Sequence, residues 1–189
     1  MASARYGSVK RVILSAFVVA VGLAPLPCAT LEQLSLDDMI TVSTAIVRGR
    51  IAGSSASFSG KVIYTHYQIN VSETLKGTAR GTVEFVVPGG VANGVRMSFP
   101  GAPQFQAGDE YVFFLWTGKS GITQVTGLTQ GLFSLAQDGT ADPATTRAAS
   151  HEVMLQRSTG LQVKDQTLVM PLSQLRLRVA ATLAARGSH

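Results

Sequence analysis

Apolar and polar positions alternate along much of this chain, and the period of the alternation changes at recognisable places. Between positions 62 and 74, Ile63, Thr65, Tyr67, Ile69 and Val71 interleave with Tyr64, His66, Gln68, Asn70 and Ser72. That two-residue period predicts a long, half-buried strand. Residues 45–52 (Ala-Ile-Val-Arg-Gly-Arg-Ile-Ala) read as the strand before it, with the small residues at 54–60 as the connecting loop. Residues 82–87 form a third strand, which Pro88-Gly89-Gly90 stops. Residues 95–99 form a short fourth strand that leads through Pro100 and Pro103 to a loop ending at Gly108. From Tyr111 to Trp116 every residue is apolar, which predicts a central strand covered on both faces. Residues 122–128 and 131–136 read as a pair, and Asp138-Gly139 turns the chain again. Residues 142–157 read as a weak helix or irregular insert, and 161–168 as an edge strand.

Helical spacing holds at the two ends of the pattern. Residues 31–44 predict a short helix with Ser35 as N-cap, Asp37 and Asp38 in the first turn, and Leu36, Met39 and Ile40 on its apolar face. Pro171 predicts the first position of a C-terminal helix whose stripe is Leu172, Leu175, Val179 and Leu183. The expected fold is mainly β, a β-barrel or curled antiparallel sheet of OB-like type, with a short N-terminal helix and a C-terminal helix. No internal repeat or linker divides it, so residues 30–189 read as a single β-rich domain.

Residues 1–29 stand apart from this pattern. Arg5, Lys10 and Arg11 precede an apolar run from Val12 to Leu23, and the small residues around Cys28 and Ala29 follow. Positive charge, short apolar stretch and small residues in that order predict a secretory signal peptide, cleaved after Ala29 or after Cys28. The run is shorter than the roughly 20 residues that span a bilayer. Membrane attachment would therefore need an uncleaved leader or a lipidated Cys28, and Pro27 before that cysteine does not suit lipoprotein processing. The expected location is exported, either periplasmic or secreted.

Composition sharpens the picture where the leader changes it. The 189 residues carry 16 Lys and Arg against 11 Asp and Glu, a formal net charge of +5. Arg5, Lys10 and Arg11 belong to the leader, so 16 less these three leaves 13 basic against 11 acidic side chains, or +2. A domain so near neutrality lacks the electrostatic footprint of a nucleic-acid binder. Cys28 is the sole cysteine, so after cleavage the domain folds in an oxidising compartment without disulfides, thiol nucleophiles or Cys-ligated zinc.

Candidate chemistry is sparse. Histidine occurs at His66, His151 and His189 only. His151-Glu152 lacks the second spaced histidine of a zinc motif. Pro88-Gly89-Gly90 lacks the Lys-Ser/Thr of a phosphate loop and reads as a turn needing positive φ. Asn70-Val71-Ser72 matches a glycosylation sequon in mid-strand. No Gly-x-Ser-x-Gly elbow occurs. No catalytic set, cofactor or metal is expected. Two surfaces remain. Arg48 and Arg50 flank Gly49 and project to one face, where they can meet a partner's carboxylate; Phe99 and Phe105 populate the 99–105 loop, either over a barrel end or as a contact surface. Tyr64, His66 and Trp116 form a candidate groove.

The segments Ala-Ile-Val-Arg-Gly-Arg-Ile, Val-Ser-Glu-Thr-Leu-Lys-Gly, Gly-Ala-Pro-Gln-Phe-Gln-Ala-Gly-Asp-Glu-Tyr-Val-Phe-Phe-Leu and Val-Thr-Gly-Leu-Thr-Gln-Gly-Leu-Phe-Ser-Leu follow in this order. Together they resemble a group of uncharacterised exported bacterial proteins over most of the chain after the leader. The arrangement is also similar to the OB-type barrel of netrin-like and metalloprotease-inhibitor domains. Those domains are rich in disulfides, and the inhibitors use an N-terminal cysteine on the catalytic zinc, so that inhibitory mechanism does not carry over to a chain lacking one. The resemblance implies an exported protein partner, with a secreted protease as one such companion. The expected function is an exported, non-enzymatic binding or accessory domain acting through Arg48, Arg50, Phe99 and Phe105. One alternative is a small-ligand or glycan binder with Tyr64, Tyr67 or Trp116 as stacking platforms. Another is a hydrolase around His66, Tyr64 and Asp109 or Glu110.

Overall fold

A computed structural model describes residues 30–136, 138–150 and 152–187. The predicted leader, residues 1–29, lies outside the described residues, as do His151 and His189. In chain order the elements are β1 (Thr30–Gln33), α1 (Leu36–Val42), β2 (Ala45–Ser59), β3 (Val62–Lys76), β4 (Thr82–Pro88), β5 (Gly90–Ala92), β6 (Val95–Met97) and β7 (Glu110–Thr117). They continue with β8 (Thr123–Val125), β9 (Leu132–Leu135), β10 (Ala144–Arg147), β11 (Val153–Gln156), β12 (Gln162–Val163), β13 (Leu168–Pro171) and α2 (Leu172–Gly187).

The fold is mainly β with two helices. The main sheet is antiparallel, in the order β13-β10-β9-β7-β2-β3-β4, and β8 pairs with β7 beside β9. β4 and β8 are not hydrogen-bonded to each other, yet Phe85 and Val87 of one and Val125 of the other enter the same apolar cluster. The sheet is therefore curled and open, not a closed barrel. A second sheet, β1-β11-β12, contains a parallel β1/β11 pair, and β5 with β6 makes a separate hairpin.

The apolar run of β7 has the expected cause. Val112, Phe113, Phe114 and Leu115 are all fully buried, because alternate residues enter two different cores. Phe113 and Leu115 join Val47, Ile51, Tyr67, Ile69 and Phe85 inside the curl. Val112 and Phe114 join Ile46, Phe133, Met39 and Ile40 of α1 and Leu172, Leu175 and Val179 of α2 on the outer face.

Several elements differ from expectation. The opening helix begins at Leu36 because Thr30–Gln33 is taken up in parallel pairing with Val153–Gln156. Ser35 then starts α1 with a capping box, its hydroxyl accepting from the Asp38 N–H while the Asp38 carboxylate accepts from the Ser35 N–H. Residues 54–59 are strand and not loop, so β2 runs unbroken to a turn at Gly60 and Lys61. Residues 131–136 do not pair with 122–128; β8 and β9 lie in tandem along one edge of β7. The insert at 142–157 contains β10 and β11 and no helix among its described residues. Pro171 closes β13, and α2 starts at Leu172. No helix among the described residues is long and apolar enough to cross a membrane.

Candidate functional site

The longest pair of strands builds a projecting arm. β2 pairs with β7 only from Ala45 to Arg50, and Ile51 bonds the Gly108 N–H and the Asp109 carbonyl. Beyond that point β2 has β3 on one side and, among the described residues, no strand on the other. The register fixes which backbone groups face outward. The Ile63 N–H reaches Met97 Sδ and its carbonyl accepts from the Gly89 N–H, both away from β2. Its partner Phe58 therefore turns its own N–H and carbonyl to the free edge, and the two-residue alternation carries this back to Ala56 and Ser54.

The β5/β6 hairpin lies across the inner side of the arm. A Cβ built on Gly90 would stand 2.5 Å from Thr65 Oγ1 and 3.1 Å from Ala56 Cβ, and Thr65 Oγ1 donates to the Gly89 carbonyl at 2.8 Å. Phe58, Val91, Val95 and Phe99, contributed by these segments and the loop after β6, are all exposed. Residues 51–72 and 85–108 carry Lys61, His66 and Arg96 and not one carboxylate.

The outer face of the arm holds a chain of three side chains from three adjacent strands. His66 Nε2 lies 3.0 Å from Ser57 Oγ, and His66 Nδ1 lies 2.9 Å from Glu84 Oε1. Ser57 sits opposite Tyr64 and Glu84 opposite Gln68, so each is a diagonal neighbour of His66. An ionised carboxylate only accepts, so Nδ1 carries the proton in the neutral ring and Nε2 is left to accept from the Ser57 hydroxyl. The group is open to solvent: the His66 side chain is 30% exposed and that of Glu84 53%.

The residues singled out by sequence fall in three places. His66 and Tyr64 share the outer face of the arm. Trp116, 46% exposed, stands on β7 beside Gln124 near the opposite end of β2, twelve residues from Ser57 or roughly 40 Å of strand. There it lines an apolar hollow of about 360 Å³ with Leu34, Val42, Val125 and Leu128. Tyr64, His66 and Trp116 therefore do not make one groove. Tyr67 is buried inside the curl, where no ligand can stack on it.

Arg48, Arg50, Phe99 and Phe105 likewise do not form one surface. Arg48 Nε and Arg50 Nη2 bond the two oxygens of Glu110 at 2.7 and 2.6 Å, on the face that carries Val112 and the helices. Phe105 lies against the opposite face, its ring centroid 5.0 Å from Tyr67, 5.4 Å from Phe85 and 5.5 Å from Tyr111. It covers the inner core, and burial there, with the Asp109 charge second, pushes the Tyr111 phenol up. Only Phe99 belongs to the exposed end of the arm. Asp109 accepts from the Gln106 N–H and Glu110 is taken by the two arginines, so neither is His66's carboxylate.

Sequence reasoning missed Ser57 and Glu84. A usable signal exists for the first. If 54–59 is strand and Gly60-Lys61 the turn, Ser57 falls opposite Tyr64 and beside His66. Among the described residues no three His, Cys, Asp or Glu side chains gather as a metal-binding group. No family model matches the chain, and no curated protein matches it.

Proposed function

We propose that this chain is an exported binding or accessory domain that takes an extended, acidic segment of a partner protein as an added strand on the free edge of β2. The observation that carries this reading is the open edge at residues 54–58. Unpaired strand edges template further pairing, and proteins usually blunt them with charge, proline or a covering element. Here the edge reads Ser-Ser-Ala-Ser-Phe, with no charge and no proline, and its outward backbone groups at Ser54, Ala56 and Phe58 are free of any strand partner among the described residues.

Affinity in this mode comes from main-chain hydrogen bonds and selectivity from the neighbouring side chains. Phe58, Val91, Val95 and Phe99 offer apolar contact, while Lys61 and Arg96, against the single carboxylate of Glu84 on the outer face of the arm, favour an acidic partner. The predicted leader directs this chain to an exported compartment, where a secreted protease is one candidate companion.

The test uses labelled extended peptides that alternate acidic with β-branched residues, titrated into the protein. The acidic peptide is expected to bind saturably, and a peptide with lysine in place of each acid roughly tenfold more weakly. Ala56→Pro removes an outward N–H without touching the β3 pairing, so it should abolish binding and leave the circular dichroism spectrum unchanged. Equal binding of both peptides, or binding that survives Ala56→Pro, would overturn the proposal.

A further inference from the structure

The Ser57, His66 and Glu84 chain has the connectivity of an activated nucleophile. A hydroxyl is hydrogen-bonded to an imidazole nitrogen at 3.0 Å, and the other nitrogen is held by a carboxylate at 2.9 Å. We propose that Ser57 is an acyl acceptor, reactive toward activated esters, with His66 as its general base and Glu84 as the positioning residue. This goes beyond strand docking and does not rest on it.

Stability gives little reason for the arrangement, since hydrogen bonds on an exposed strand face compete with water and contribute little. Chemistry gives a definite one. Because the Glu84 carboxylate fixes the proton on Nδ1, Nε2 is presented to Ser57 as an acceptor in the neutral ring. The Glu84 charge also stabilises the imidazolium that forms when the ring takes the hydroxyl proton. The residue after the nucleophile, Phe58, directs its backbone N–H to the free edge, where no strand of the described residues satisfies it. Backbone donors of that kind stabilise a developing oxyanion.

Exposure sets the substrate class. With 30% of His66 and 53% of Glu84 open to water, the site offers little remote binding energy and does not strip solvent from a substrate. It therefore suits an ester with a good leaving group, and not an amide.

Ser57 Oγ attacks the carbonyl carbon while its proton passes to His66 Nε2. The tetrahedral adduct collapses with cleavage of the bond to the leaving oxygen. The leaving oxygen takes the proton from Nε2 and departs as the alcohol, and Ser57 remains as the ester. Water then adds to the ester carbon as its proton passes to Nε2, the carbon–Oγ bond of Ser57 breaks, and Nε2 returns the proton to Oγ as the acid leaves.

The experiment treats the protein with p-nitrophenyl acetate and, separately, with a fluorophosphonate probe, and locates adducts by peptide mass spectrometry. Ser57 should be modified ahead of Ser55 and Ser59 on the same strand. His66→Gln should slow modification by about 100-fold, and Glu84→Gln by about tenfold, with partial recovery in Glu84→Asp. Circular dichroism confirms that each variant is folded, which is expected because all three side chains face solvent. An absence of adduct at Ser57, modification no faster than at Ser55, or a rate indifferent to His66→Gln would overturn the assignment.

Discussion

Arg147 and Asp165 are charged residues held where charge is costly. Their side chains are 5% and 1% exposed, and they meet through two bonds of 2.9 Å, Nη1 to Oδ2 and Nη2 to Oδ1. Arg147 Nη2 also donates to the Gln166 carbonyl, and the Ser150 N–H donates to Asp165 Oδ2 at 2.7 Å. Burial alone would push the Asp165 carboxyl up, but the Arg147 bonds, the Ser150 and Gln166 N–H groups and the guanidinium charge together hold it below its ordinary 3.8. A carboxylate lowered in the folded state adds stability that is fully present above 3.8 and is lost as pH falls through the lower folded value. Asp165→Ala leaves the Arg147 guanidinium buried without its counter-charge and should cost about 3–5 kcal/mol in urea denaturation at neutral pH. The deficit relative to wild type should shrink on acidification below 3.8; a deficit independent of pH would show that the carboxylate's charge is not what the site uses.

Among the elements, the β5/β6 hairpin depends on one residue. Gly90 has φ 133°, a backbone conformation closed to most L residues, and its missing Cβ is what lets the hairpin approach Thr65 and Ala56. Gly90→Ala therefore combines backbone strain with a contact of 2.5 Å, and should cost about 1–3 kcal/mol while raising amide exchange at residues 90–97 above that of β7. Unchanged protection there would mean that the hairpin is held by other contacts. Glycine at this point was legible in the sequence as a positive-φ position, as were the fully apolar β7 and the Ser35 cap, because each carries a local signature. Residues 54–59 were not legible as strand. Serine and alanine show no apolar alternation, and their extended form is imposed by six register pairs with β3, from Ser54 to Ser59. β11 was hidden for a related reason: its partner β1 lies more than a hundred residues away, and four-residue strands draw their stability from such pairing. The candidate site followed the same division. His66 could be singled out as a residue type on a strand face, but Ser57 and Glu84 join it only through the register of two strand pairs.

The whole molecule is organised about β7, where adjacent residues in sequence belong to different cores. Phe113 packs inside the curled sheet with Phe85 at 5.5 Å between ring centroids, whereas Phe114 packs on the outer face with Phe133 at 5.3 Å and with the helix layer. One strand thus shares its backbone between two apolar clusters, so disorder in either removes a wall of the other. The helix layer is also tied to the sheet by charge. Arg176 of α2 bonds Glu73 of β3 through both carboxylate oxygens at 2.7 and 2.8 Å, and Arg178 bonds Asp37 of α1. These arginines hold both carboxyls below their ordinary range, so the ties persist at neutral pH. Phe113→Ala and Phe114→Ala should each remove about 3–5 kcal/mol, a large part of the roughly 5–15 kcal/mol typical of a whole domain. The two losses should be felt everywhere at once. Fluorescence of Trp116, the sole tryptophan, follows the end of β7, and far-ultraviolet circular dichroism follows the helices together with the sheet. In both variants the two probes are expected to report one coincident transition at lower denaturant. If Phe114→Ala instead lost its helical signal while Trp116 stayed native, the outer layer would be a separate cooperative unit, and β7 would not couple the two cores.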